Sequence, residues 1–269
     1  MVAATLPQVK QSGIPYFTPL TGAKLARPAD MRNVFNVRAS YPQEAEELVK
    51  HLVTVGLRKI AVVHQNNAFG KEVFNGANQA LTERTLSSVA VTTVENDASD
   101  VNTAIAKIAD ASPAAVIIGL AGKPALEFIQ GMRRARRGLQ LYTTSVMGAA
   151  STISALGNDA VGLTLTQVVP LPASTLLPLA RDFQQDWKAS GTRLEPSHIA
   201  FEGYINARVL IEALRRTGRP VSRSAFMDAA WGLRNMDLGG FRINARGPGT
   251  SASGFVELTN ISRDGRFIR

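Results

Sequence analysis

The chain contains no cysteine in 269 residues, which excludes disulfides and thiolate metal sites. Histidine is nearly as scarce. His51, His64 and His198 are scattered, which argues against a histidine-rich metal centre, and the three read as structural or surface groups. Nothing in the composition asks for a metal or a cofactor. No apolar run approaches the roughly 18 residues that suggest a membrane span. The longest are strand-sized, such as AAVIIGLA from Ala114, and the expectation is a soluble protein with no membrane span. No basic, apolar, small-residue leader opens the chain, so any export signal is expected to be absent from this sequence.

Acidic residues are in deficit, 21 against 30 Lys plus Arg, for a formal charge of +9. Such a balance raises the question of nucleic acid. The arrangement answers it: the arginines are dispersed, and the tightest cluster, Arg133, Arg134, Arg136 and Arg137, falls near the end of a predicted helix. Cations there complement the helix dipole, and the cluster reads as a solvated helix end. No zinc knuckle, RNA-binding aromatic motif or basic heptad accompanies it, and no nucleic-acid partner is expected.

Catalytic signatures are also missing. The segment TTSVMG around Ser145 is not a glycine-flanked nucleophile elbow, and no histidine can be tied to it. Gly119, Gly122 and Lys123 lack the spacing of a phosphate-cradling loop and read as close packing at a strand end. Glu46 and Glu47 lie on a predicted helix and read as solvated.

What is present is a chain 45% hydrophobic, enough for one large domain or two lobes. Strand-like and helix-like patterns alternate through the first two thirds, the signature of βα units around a mainly parallel sheet. The extended segments IPYFTP and NVFNVRAS come first, then a helix from Gln43 to Val55 with Leu48, Leu52 and Val55 on one face. The strand IAVVH, a helix from about Lys71 to Glu83, the strand SSVAVTTV and a helix from Val101 to Asp110 follow. Ser99 or Asp100 is placed to cap that last helix, with Ala104, Ile105 and Ile108 facing inward. AVIIGL, a helix from Pro124 to Arg136, LQLYTTS and LTLTQVV complete this part. The last third changes character. Helices over 176–189, 197–217 and 222–231 are followed by short strands near 241–243 and 254–258 and a reversal at 263–265. A chain that leaves one lobe, builds a second and returns would read this way.

Polar and small residues gather at successive strand ends: TPLTGA at 18–23, QNNAFG at 65–70, LAGKP at 120–124 and TSVMG at 144–148. In open α/β sheets such ends border the ligand crevice. Hydroxyls and backbone amides suit a small polar or carboxylate ligand, and Phe69 offers an apolar wall. Ordinary turn chemistry accounts for each segment singly, and their joint placement favours a cleft.

The ordered series IPYFTPLTGAKLAR, NVFNVRAS, RKIAVVHQNNAFGKE, AAVIIGLAGKPA, LYTTSVMG, GNDAVGLTLTQVVP and FEGYINARVLIEALRRTG resembles the type I periplasmic solute-binding proteins of ABC transporters, in the branched-chain amino acid binding branch. The likeness covers essentially the whole chain. It implies an α/β fold of two lobes, each a mainly parallel sheet flanked by helices, joined by three crossing strands and closing on ligand by hinge motion. The crossings are expected near Val37, Gln167 and Phe255. Lobe one is then 1–37 with 168–254, and lobe two is 38–167 with 255–269. The resemblance further implies that lobe one lacks an N-terminal portion of about ninety residues, some three βα units. An exposed sheet edge would result, and the chain is expected as a monomer or as a homodimer through the incomplete lobe.

By resemblance, Leu20, Thr21, Gly22 and Ala23 meet a ligand carboxylate, and Phe69 stands where an aromatic stacks on the ligand. Ala121 and Gly122 occupy a position that is often aromatic, and Ser145 one where amino-acid binders often carry an acid for the ammonium. Both are departures. Glu202 in FEGY is expected near the cleft. The implied function is a non-enzymatic periplasmic receptor for a small carboxylate-bearing molecule, an amino acid, amide or aromatic or organic acid, presented to an ABC transporter permease. A ligand-sensing regulatory domain of the same fold is the alternative, and a small α/β hydrolase using Ser145 a further one.

Overall fold

A computed structural model describes residues 2–269. In chain order its elements are α1 (Val2–Ser12), β1 (Tyr16–Phe17), β2 (Val34–Phe35), α2 (Tyr41–Thr54), β3 (Ile60–Gln65), α3 (Ala68–Thr82), β4 (Ala90–Val94), α4 (Val101–Asp110), β5 (Ala115–Gly119) and α5 (Gly122–Ala135). Then come β6 (Gln140–Thr143), α6 (Ala150–Leu156), β7 (Thr164–Gln167), α7 (Pro178–Ala189), α8 (His198–Thr217), α9 (Arg223–Trp231), β8 (Met236–Asp237), β9 (Arg242–Ile243), β10 (Glu257–Ile261) and β11 (Phe267–Ile268). They fall into two compact units, 1–40 with 168–255 and 41–167 with 256–269. No helix among the described residues is long and apolar enough to cross a membrane.

The second unit is built on a seven-stranded sheet in the order β11-β10-β7-β6-β5-β3-β4. From β4 to β7 the pairing is parallel, and β10 and β11 close the far edge antiparallel. Strands β3 and β5 are buried along their whole length because helices cover both faces. Ala61, Val63, Val116, Ile118 and Leu141 pack with Val101, Ala104 and Ile108 of α4, Phe128, Ile129 and Met132 of α5, and Ile153 and Leu156 of α6. On the other face α3 contacts β3 and β5, while α2 contacts α3, β5 and β7. Helices α2 and α3 approach closely at Gly76, where a Cβ would stand 2.6 Å from Pro42 Cα.

The first unit has two two-stranded sheets. β1 and β2 form a parallel pair, β8 and β9 an antiparallel one, and Asn36 bridges to Ser251. Its core is aromatic and helical: Phe35 stacks on Phe17 at 5.0 Å and tilts against Trp231 at 4.8 Å, and Phe183 meets Phe201 at 4.8 Å. Helices α8 and α9 begin at serine caps, Ser197 Oγ accepting from Ala200 N and Ser222 Oγ from Ala225 N.

Several expectations need correcting. Val55 is 52% exposed, one turn beyond the buried Leu48 and Leu52, because α2 ends at Thr54. Asp100 stands at the start of α4 without capping it, its carboxylate accepting instead from Glu95 N at 2.8 Å. The extended segments IPYFTP and NVFNVRAS pair over only two residues each. The last long strand runs Glu257–Ile261, three residues later than its expected start, and is set by its register with β7. The arginine cluster is not simply solvated. Arg133 donates to the carbonyls of Asp159, Leu139 and Val161, and Arg136 to Ala109 O and Ser112 Oγ, so both tie the end of α5 to neighbouring turns.

His198 opens α8 at 5% exposure, and burial pushes its imidazole down to about 4. The unfolded chain, with histidine near 6.5, binds a proton that the folded chain refuses. This contribution to stability is therefore complete above about pH 6.5 and is lost as pH falls towards about 4, by about 3 kcal/mol in all. Trp187 and Trp231 are the only tryptophans and both belong to the first unit, so urea unfolding followed by tryptophan fluorescence reads that unit. Wild type should lose stability between pH 6.5 and 4.5 more steeply than His198→Gln; equal slopes would refute the assignment.

Candidate ligand-binding site

In the second unit the chain runs from β3 to β4 on one side and then returns to β5 on the other. The strand order thus reverses between β3 and β5, and the crevice of an open sheet lies beyond the carboxyl ends at such a point. The polar residues there are mostly committed to one another. The Gln65 amide donates to Asn96 Oδ1 at 2.9 Å and accepts from Ala121 N at 3.1 Å. Asn67 donates to the same Asn96 oxygen at 2.8 Å, and Asn66 to Glu95 at 2.7 Å. Asn67 Oδ1 also accepts from Gly70 N at 3.0 Å, which caps α3. Asn66 and Asn67 therefore build the loop rather than line an opening.

That cap moves the start of α3 to Ala68, three residues before the expected helix, and puts Phe69 in its first turn. The ring is half-buried and meets Tyr41 edge-on at 4.8 Å and 78°. Gly70 fixes this start: a Cβ there would stand 2.2 Å from Gln65 O. Across the strand-order reversal, Ala121 is held through its amide, and Gly122 opens α5 with φ +60.

Ser145 lies just past β6 and is half-buried. Its amide donates to Glu44 Oε2 at 2.8 Å and Thr166 Oγ1 at 3.1 Å, and its hydroxyl donates to Glu44 Oε1 at 3.1 Å. Thr166 Oγ1 donates to Glu44 Oε2 at 2.6 Å. Glu44 is fully buried. A signal for it existed in the sequence: Glu44 precedes Leu48 and Leu52 at four-residue spacing, so an acid stands on the apolar face of α2.

In the first unit, Leu20 is 59% exposed, and Thr21 Oγ1 accepts from Ala23 N at 3.1 Å to close a tight turn with Gly22 buried inside. The turn is pinned by Arg27. Its guanidinium donates to Thr21 O at 3.2 Å, Ala23 O at 3.0 Å, Ser251 Oγ at 2.9 Å, Arg38 O at 2.8 Å and Ala39 O at 3.4 Å. Nothing in the sequence pattern singled out Arg27, because its partners are backbone carbonyls. Glu202, on α8, lies 3.6 Å from Arg38, and both side chains are buried.

A model of the family described as periplasmic binding protein matches residues 1–266. The chain belongs to the periplasmic binding protein family. Among solved periplasmic binding proteins it is similar to a substrate-binding periplasmic protein from Ralstonia solanacearum, at 29% identity and a TM-score of 0.85, over 99% of this chain and 76% of that one. A possible leucine/isoleucine/valine-binding protein from Rhodopirellula baltica SH 1 matches at 28% identity and 0.87, over 100% and 74%. An extracellular ligand-binding receptor from Verminephrobacter eiseniae ef01-2 matches at 25% and 0.82, over 94% and 72%. No curated protein matches the chain.

Because α3 of this binding protein starts at a contact with no room for a methyl group, Gly70→Ala should cost about 1–3 kcal/mol. Urea denaturation read by far-UV circular dichroism, which reports the helices, would show it. An unchanged midpoint would mean that the close approach is not rigid.

Proposed function

We propose that this chain is a solute-binding receptor of an ABC importer, acting in the periplasm, that captures a small carboxylate-bearing molecule by hinge closure of its two lobes and passes it to a permease. The observation that carries the reading is the buried Arg27 guanidinium behind the Thr21 turn. A fixed cation beneath a turn favours an anion on the turn's open side, and it holds the backbone in one arrangement before ligand arrives. Phe69 adds an apolar surface on the second unit, as an amino acid or an aromatic acid requires. The Rhodopirellula relative, a possible leucine/isoleucine/valine-binding protein, supports the same ligand class. Ser145 contributes to binding rather than to turnover, since its hydroxyl is bonded to a carboxylate and no histidine stands in that bond. Ala121, Gly122 and Glu202 are assigned to the walls of the site rather than to direct recognition.

Native mass spectrometry of the purified chain should reveal a carried-over acid. After its removal, calorimetric titration with that acid should show binding that weakens at least about tenfold, about 1.4 kcal/mol, in Thr21→Ala and in Phe69→Ala. Unchanged affinity in both variants would sink the assignment of the site.

A further inference from the structure

The helices of the second unit run back from the carboxyl ends of the strands, so α2, α3, α4 and α5 finish where the next strands begin. That end is basic. Arg58 and Lys59 precede β3, Lys107 and Arg134 lie in the last turns of α4 and α5, Arg137 precedes β6 and Arg263 precedes β11. All are exposed, and among the described residues none of these side chains forms an ion pair or a hydrogen bond. The positions adjoin. Ala114 N donates to Lys59 O at 2.7 Å, Ala115 stands opposite both Ile60 and Gln140, and Arg136 reaches Ala109 O and Ser112 Oγ at the end of α4. On the far side Arg133 donates to Val161 O, and Gly162 N donates to Ile261 O beside the turn that holds Arg263. Acids are fewer here: Asp264 is paired with Arg266 and Glu47 with Lys50, which leaves Glu83, Asp110 and Asp159. Glu72, Glu95, Asp97 and Asp100 lie towards the crevice end instead, so the unit is electrically polar along its strands.

We infer that this basic end of the second unit is a docking surface for an anionic phospholipid bilayer. The inference goes beyond the receptor reading and does not depend on it. A cleft of about 320 Å³ between the end of α5 and the turn at 158–161 is lined by Arg133, Arg134, Arg137 and Asn158, with Asp159 at its wall, and admits a headgroup phosphate. Guanidinium groups match phosphate oxygens two at a time, and Arg134 and Arg137 are unspent. Two apolar side chains stand at the same end: Val55, 52% exposed, follows α2, and Val89, 44% exposed, precedes β4, its amide donating to Ile60 O next to Lys59. Cations mixed with exposed valines suit a surface that is charged outside and apolar beneath. Nucleic acid also offers phosphates, but every aromatic side chain of this unit is buried or half-buried, so bases would find no exposed ring to stack on. Each basic side chain held near an anionic bilayer strengthens binding about fivefold, an attraction that fades within a Debye length of about 10 Å at 0.1 M salt.

The test is sedimentation of the full chain with vesicles of phosphatidylglycerol and phosphatidylcholine in equal parts, and with vesicles of phosphatidylcholine alone. Association with the anionic vesicles only is expected, and it should be released as salt rises from about 0.05 M to about 0.5 M. The triple variant Lys107→Gln, Arg134→Gln, Arg137→Gln should bind the anionic vesicles about tenfold or more weakly. Arg193→Gln, Arg234→Gln, Arg242→Gln removes the same charge from exposed positions of the first unit and should change binding by about twofold or less. The pair Arg58→Gln, Lys59→Gln, with an expected loss of about fivefold or more, keeps the inference testable should the first triple variant not fold. Equal weakening by the first-unit variant would trace the effect to net charge and overturn the assignment. Equal association with phosphatidylcholine alone, or none with the anionic vesicles, would overturn it too. Tighter binding to duplex DNA than to the anionic vesicles, at equal phosphate concentration, would give the surface to nucleic acid and overturn the lipid reading.

Discussion

Strands β3 and β5 are buried along their whole length, and this constrains everything the second unit can do. A strand with helices on both faces has no solvated side on which to place chemistry, so its residues must be apolar in both directions. Polar function is driven to the ends. In β3 the change comes at His64 and Gln65. His64 is itself absorbed by stacking on Phe74 at 4.9 Å, with burial holding its imidazole below the ordinary histidine range. In β5 it comes after Gly119, where a Cβ would press on Val73 at 3.0 Å. The strand-order reversal between these two strands then decides which ends border the crevice.

Each unit also sets one loop with one buried charge. Arg27 fixes the Thr21 turn in the first unit, and Glu44 fixes Ser145 in the second. Removing an ion from water costs several kcal/mol, and only a complete set of hydrogen bonds offsets it. A loop bonded to such an ion cannot shift without stripping bonds from it, so the charge rigidifies the loop more than a neutral contact would. The two charges have opposite signs, and each is spent on holding its own loop.

Helices with a strong apolar stripe were legible in the sequence to within two or three residues. The pattern over Val101–Asp110 coincides with the observed helix, because Ala104 and Ile108 mark an unambiguous face. Helix α1 leaves no signal in the sequence: it carries Pro7 in its interior and buries none of its residues, so no periodic pattern marks it. The strands of the first unit were read too long because their residues are extended but pair over two positions only, and pairing is a property of the partner. Side chains that act through backbone carbonyls, such as Arg27, leave no spacing to detect. Glu44 was detectable in principle, as a charge out of phase on α2, yet its partners Ser145 and Thr166 lie 101 and 122 residues away and only folding brings them together.

Phe69 shows how a side chain inherits its position from the backbone. Asn67 caps α3 through Gly70 N, and Gly70 packs against Gln65 O with no room for a Cβ, so the helix cannot start one residue earlier or later without a clash. Sliding by one residue would turn each side chain by about 100° around the helix. The ring would then leave Tyr41, whose edge contact holds it from the other side. Gln65 is in turn held by Asn96 and by the amide of Ala121, so the loops after β3, β4 and β5 form one hydrogen-bonded unit with Phe69 as its apolar tip. A substitution at Gln65 would therefore displace the start of α3 and carry the Phe69 ring away from Tyr41.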